Sequence, residues 1–145
     1  MSKHYDLRCI TQLRGEENMA LIDRGLVIDT PHIDRILSGA KTWEMRSTAT
    51  KIRGPIALIR KGSGQVVGTA ELVDSLGPFT DAQMLDNYSR HLIDPSRIQS
   101  GVVAKWRYAW VLRDAKPLAH PIPYVHRPGA VIWVALDDAA VQRLR

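Results

Sequence analysis

The sequence predicts an α+β domain: a small mixed β-barrel of five or six strands with two or three short helices. Three observations lead there. The 145 residues, 45% hydrophobic and 24% charged, suit a single core, and two halves of that length would each bury too little apolar surface. The apolar segments are short and mostly hairpin-linked, with Gly- and Pro-containing turns between them. They show no regular alternation of strand and helix, which disfavours a doubly wound sheet.

Residues 1–24 form an N-terminal segment of uncertain structure, and the domain is expected over 25–145. Within the segment, Cys9–Leu13 is compatible with a short strand and Arg14–Asn18 with a turn. Leu26-Val-Ile after Gly25 reads as a strand. A helix of about two turns follows, with Thr30 as cap and Pro31 at its first position. Ile33, Ile36 and Leu37 share one face of it, and Gly39 supplies a left-handed stop. From Lys41 to Ser47 the pattern alternates, with Trp43 and Met45 on one side and Thr42, Glu44 and Arg46 on the other.

Residues 47–53 are polar and aperiodic, a loop. Pro55–Arg60 and Gln65–Val73 pair as a hairpin around Lys61-Gly-Ser-Gly, and Gly68 marks a bulge or a close backbone approach. Leu76-Gly-Pro breaks the second strand. Thr80 and Gln83 read as a capping box, with Phe79 and Met84 as its staple, opening a helix to about Tyr88 or His91. Asp94-Pro95 is a second break, and 94–104 a polar connection. Trp106–Leu112 is an aromatic strand with Trp106, Tyr108, Trp110 and Leu112 on one face. The prolines at 117, 121, 123 and 128 suggest a crossing with little sheet ladder. Ala130–Leu136 is the last strand, and Asp137 caps a short terminal helix carrying Val141 and Leu144. Burial is expected for Trp133 and for at least one of Trp106 and Trp110.

One cysteine, Cys9, excludes an internal disulfide and a cysteine-based metal cage. The five histidines lack ligand spacing, so neither metal nor cofactor is expected. No apolar run reaches the roughly 18–20 residues of a membrane span, and a soluble cytoplasmic protein is expected. The net charge of +5 permits a polyanionic partner. Its distribution is more informative: Lys41, Arg46, Lys51, Arg53, Arg60 and Lys61 face Glu44 alone over 41–61, whereas acids dominate 62–100. This is either an electrostatic footprint for nucleic acid or a solvated basic face.

The segment Ile36–Arg46 places a lysine, a carboxylate and a guanidinium at a helix-to-strand junction. Glu44 and Arg46 either form a surface ion pair, worth roughly 0–1 kcal/mol, or stand with Lys41 in a site. A charged lysine there clamps phosphate as a point charge beside a bidentate arginine; a desolvated one serves as base or nucleophile. Lys61-Gly-Ser-Gly reads as a hairpin turn rather than a phosphate cradle, since no helix follows it. Tyr108 or Trp110 can stack a base, and Trp43 adjoins the junction.

The run Gly39-Ala-Lys41-Thr-Trp-Glu44-Met-Arg46 resembles the signature of the ASCH domain, a branch of the PUA-like superfamily. The hairpin Ile56–Lys61 with Val67-Gly-Thr-Ala-Glu-Leu, and the strands at Trp106–Trp110 and Val131–Trp133, resemble the same family, so the likeness covers about residues 25–136. It implies a barrel with a cleft floored by the signature strand and lined with basic groups. It further implies an RNA or nucleotide ligand; the contact candidates are Lys41, Arg46, Arg60 and Lys61 from the basic stretch, with Trp43 and Tyr108 as aromatics able to meet a base. Some members resemble amidohydrolases of acylated cytidine, and others are ribonucleases, so Lys41 and Glu44 are also catalytic candidates for a metal-independent hydrolase. In the amidohydrolase group a Thr stands three positions after the Lys, where this chain has Glu44; Glu71 is the other candidate carboxylate. A third reading makes the cleft a protein-recruitment surface. Truncating Lys41 is expected to weaken ligand binding without loss of stability.

Overall fold

A computed structural model describes residues 22–145. Cys9–Leu13, the turn after it and most of the N-terminal segment therefore lie outside the described residues. The strands are β1 (Arg24–Ile28), β2 (Trp43–Arg46), β3 (Gly54–Arg60), β4 (Gln65–Leu76), β5 (Tyr108–Pro123) and β6 (Trp133–Ala135). The helices are α1 (His32–Leu37), α2 (Asp81–Asp86), α3 (Tyr88–His91), α4 (Pro95–Gln99) and α5 (Asp138–Arg143). The six strands form one curled sheet in the order β2-β5-β4-β3-β1-β6. β1 and β3 are parallel and the other neighbours antiparallel. This is the expected α+β, barrel-like architecture, in the form of a half-barrel whose edge strands are β2 and β6.

The curl comes from register shifts. The β4–β5 pair shifts at Val66/Gly68, Thr69/Glu71 and Leu72/Asp74, and each extra residue bends and twists the ladder. Gly68 serves both roles the sequence suggested. It faces the β3 irregularity at Leu58/Ile59, and a methyl group added to it would collide with the Leu37 side chain and lie 2.6 Å from the Lys116 carbonyl oxygen. Gly68→Ala is therefore expected to destabilise the fold by about 1–3 kcal/mol in urea unfolding. A cost below 0.5 kcal/mol would show that β5 shifts freely.

Several local expectations hold. Gly39 takes φ +84° after α1. Thr80 and Gln83 form both halves of the capping box. Asp137 accepts from the Ala140 N–H at the start of α5. Lys61-Gly-Ser-Gly is the β3–β4 turn, with Gly62 and Gly64 at φ +79° and +68°.

Other expectations are corrected. Thr30 does not cap α1; Pro31 stands at the cap without a side-chain bond, and the Thr30 hydroxyl accepts from Arg60 Nη1 at 3.2 Å. The helix expected from Thr80 to His91 divides at Asn87, whose side chain donates to the Gln83 carbonyl at 2.8 Å and so competes with the helical ladder. Asp94-Pro95 starts α4 rather than only breaking the chain: Asp94 accepts from the Ser96 N–H, and Pro95 occupies the first turn. Five short helices result among the described residues, against two or three expected. β5 runs through Pro117 and Pro121 to Pro123, because β2 faces it only at Tyr108–Val111. Beyond Val111 one side of β5 has no partner strand among the described residues, and missing N–H groups cost little there. Trp133 is half-buried, stacked on buried Trp110 with ring centroids 5.8 Å apart.

One core cluster (including Leu26, Ile36, Leu58, Leu72 and Trp110) lies inside the curl. A second (Ile59, Val66, Ile122, Val134) lies under α5, and a third (Trp43, Met84, Ile98, Ala109) joins β2 to the helical segment 81–99. No helix among the described residues is long and apolar enough to cross a membrane.

Candidate functional site

The short β2 strand hydrogen-bonds to β5 on one side and, among the described residues, borders an open seam on the other. Arg46 spans that seam: its Nη2 donates to the Val27 carbonyl of β1 at 2.7 Å and to Glu44 Oε2 at 3.2 Å, and its guanidinium lies 5.5 Å from the Trp110 ring centroid. The side chains of Glu44 and Arg46 are 8% and 18% exposed, so the pair is sheltered rather than a surface bridge.

Lys41 lies between α1 and β2 and is 1% exposed. Its Nζ donates to the His91 carbonyl at 2.5 Å. The α3 end is shaped for this contact. Leu92 takes the left-handed conformation (φ 56°). The Ile93 N–H then turns back to His91 Nδ1 at 2.9 Å, while His91 Nε2 bonds the Met84 carbonyl at 2.6 Å. His91 is fully buried, and its pKa is lowered chiefly by burial. Burial likewise brings Lys41 down from 10.5 to about 8; Glu44 opposes the shift, while Arg35 and Arg46 add to it. Burial of Lys41 overturns the expectation that its truncation leaves stability unchanged, since a cavity and an unpaired carbonyl would remain.

Lys41, Glu44 and Arg46 line one cleft of about 360 Å³. The fold adds Asp29, Thr30 and His32 from the entry to α1, Lys61 from the hairpin turn, and Arg97 and Trp106 from the 93–106 segment. The charged lining is four cations (Lys41, Arg46, Lys61, Arg97) against Asp29 and Glu44. His32 Nδ1 is buried without a hydrogen-bond partner among the described residues, and the ring pKa is lowered first by burial and then by Lys41, which favours a neutral imidazole.

Trp43, Arg60 and Tyr108 stand outside this cleft. Trp43 is 5% exposed and packs in the third cluster, stacked on Phe79 at 5.3 Å with Arg90 above it. Arg60 is held by Asp34 (Nη2 to Oδ1, 2.7 Å) and Thr30. Tyr108 pairs with Arg46 across the β2–β5 ladder but is not among the lining residues. Glu71 bonds Arg113 at 3.1 Å, away from the cleft, which leaves Glu44 as the carboxylate beside Lys41. The linear basic stretch is divided as well, since Lys51 and Arg53 border a separate hollow with Asp23 and Arg24.

Sequence reasoning missed His32, Asp29, Arg97 and the structural role of His91. No spacing signalled them, because they reach the site from three separate segments: the entry to α1, α3 and α4. No group of three or more His, Cys, Asp or Glu residues able to hold a metal occurs among the described residues.

Comparisons with known proteins agree with this architecture. No curated protein matches the chain. The crystal structure of an ASCH protein from Zymomonas mobilis superposes with a TM-score of 0.63 at 17% identity, covering 83% of this chain and 92% of that one. Two single-substitution variants of that protein give TM-scores of 0.60 and 0.57 at 19% and 20% identity, each over 83% of this chain and over 94% and 92% of theirs. At such identities the likeness is one of fold. A family model described as the ASCH domain matches residues 26–121, and on that match the chain belongs to the ASCH domain family.

Proposed function

We propose that this protein binds RNA or a nucleotide in the cleft around Lys41, Glu44 and Arg46. The supporting observation is the gathering of Lys41, Arg46, Lys61 and Arg97 onto one concavity, with only Asp29 and Glu44 against them among the described residues. Its volume of about 360 Å³ lies near the lower end of the 300–1,000 Å³ typical of ligand pockets, which suits a single nucleoside or nucleotide rather than a duplex. Arg46 offers a planar donor fork and Lys41 a charge poorly screened by water. The neutral His32 ring and Trp106 supply contacts for a base or sugar.

Titration with ribonucleoside monophosphates and short single-stranded RNA tests the reading. Binding is expected at low salt, to fall as salt rises, and to weaken at least tenfold in Lys41→Met, which keeps the buried volume. Equal affinity in wild type and Lys41→Met overturns it.

A second reading, a hydrolase in the same cleft, is favoured by one observation: Lys41 is brought to about 8, beside a buried carboxylate. A lysine at that value is a usable base or nucleophile near neutral pH, with Glu44 as a proton-transfer partner. RNA and acylated cytidine, incubated with the protein in EDTA, discriminate the two. Product that disappears in Lys41→Met favours the hydrolase; binding without product favours the module.

A further inference from the structure

The cleft does not end at Lys61. A second hollow of about 420 Å³ adjoins it and shares Val27, Lys61 and Val131 as common wall. Its own lining is different in kind: the bare backbone of Gly62 and Gly64, the rings of Tyr124 and His126, and Ala130. Among the described residues Lys61 is its only lysine or arginine, and its ammonium is 4.0 Å from Asp29 on the border between the two hollows. The first compartment is thus rich in charge and the second largely apolar and aromatic.

The second compartment is held in shape by its own polar atoms. With His126 Nε2–H donating to the Ala130 carbonyl at 3.0 Å, Nδ1 is left to accept the Tyr124 hydroxyl at 2.9 Å. The two rings meet edge to face with centroids 5.8 Å apart. The Val125 N–H between them is pinned to Asp137 Oδ1 at 2.9 Å, and the Tyr124 N–H to the Gly64 carbonyl at 3.2 Å. The polar atoms of both rings are therefore engaged, and what remains for a ligand is aromatic and apolar surface. Val131, on the shared wall, is 72% exposed. A preordered aromatic hollow beside a lysine ammonium takes a planar group by stacking and does not read its edges.

We propose that the two hollows form one groove whose ligand is a dinucleotide unit of single-stranded RNA. One nucleoside occupies the Lys41–Arg46 compartment, the linking phosphate lies at Lys61, and the neighbouring base packs against Tyr124 and His126. The proposal rests on the nucleotide-binding reading of the cleft and adds to it the minimum length of the ligand and the position of its second base.

Calorimetric titration with each ribonucleoside 5′-monophosphate and with dinucleoside monophosphates of every base combination tests it. The best dinucleotide is expected to bind at least tenfold tighter than either of its mononucleotides, as stacking of one base allows. Tyr124→Leu, which keeps apolar packing, and His126→Glu, at an exposed position, are each expected to erase that difference and leave mononucleotide affinity unchanged. Mononucleotides that bind as tightly as every dinucleotide overturn the two-compartment groove while the nucleotide reading stands. Loss of mononucleotide affinity in Tyr124→Leu and His126→Glu, equal to the loss for dinucleotide, overturns it too. Absence of binding by either class overturns the nucleotide reading itself, and the groove with it.

Discussion

Between pH 8 and 10.5 the wild-type protein is expected to gain about 3 kcal/mol of stability relative to Lys41→Met. The sign follows from which state holds the proton longer. In the folded chain Lys41 gives up its proton at about 8; in the unfolded chain it keeps it to the ordinary 10.5. Across that window the unfolded state binds more protons, so raising the pH favours folding. Below pH 8 the buried charge is fully carried by the fold, and the protein bears its whole cost. Above 10.5 both states are neutral and the cost has gone. Lys41→Met has no such group and should show only the background from other titrating residues. Urea unfolding of both proteins at intervals from pH 7 to 10.5 measures the difference; parallel curves would mean that Lys41 is as well solvated folded as unfolded.

Trp110→Ala is expected to cost about 3–5 kcal/mol, enough to lower Tm by roughly 10 °C or more. Trp110 is 2% exposed and joins three parts of the molecule. Its ring stacks on Trp133 before the chain turns into α5, its Nε1–H donates to the Thr48 carbonyl at 2.8 Å, and it underlies the Arg46 guanidinium. Truncation leaves a large void inside the curl and loosens the side chain that spans the seam. Trp110→Phe should recover most of the packing and lose only the bond to Thr48, about 1–2 kcal/mol. Thermal unfolding of the two variants separates these contributions. A cost below about 1 kcal/mol for Trp110→Ala would show that the sheet closes over the void.

The parts of this protein legible from its residues alone are those settled within a few positions. Gly39 stops α1 because only a residue without Cβ takes φ +84° cheaply. Thr80 and Gln83 satisfy each other's backbone donors without help from the rest of the chain. The alternation from Trp43 to Arg46 separates an apolar side, Trp43 and Met45, from the Glu44–Arg46 side before any sheet exists, because strand geometry has period two. Even the missed helix α4 had a local cue, Asp94 followed by Pro95, which suits a helix start as well as a break.

The site was legible only in part. Lys41, Glu44 and Arg46 stood out as a cluster, but burial and partners were set elsewhere. The carbonyl that receives Lys41 is fifty positions away at His91, and the one that receives Arg46 is at Val27. Lys61 and Arg97 reach the cleft while Arg60, Lys51 and Arg53 do not, although all but Arg97 lie in one basic stretch. Caps, turns and strand alternation are decided by bonds between near neighbours, so they can be read along the chain. Which charges share a hollow follows from how three apolar clusters pack and how far the sheet curls, and those are contacts between segments that the linear order keeps apart.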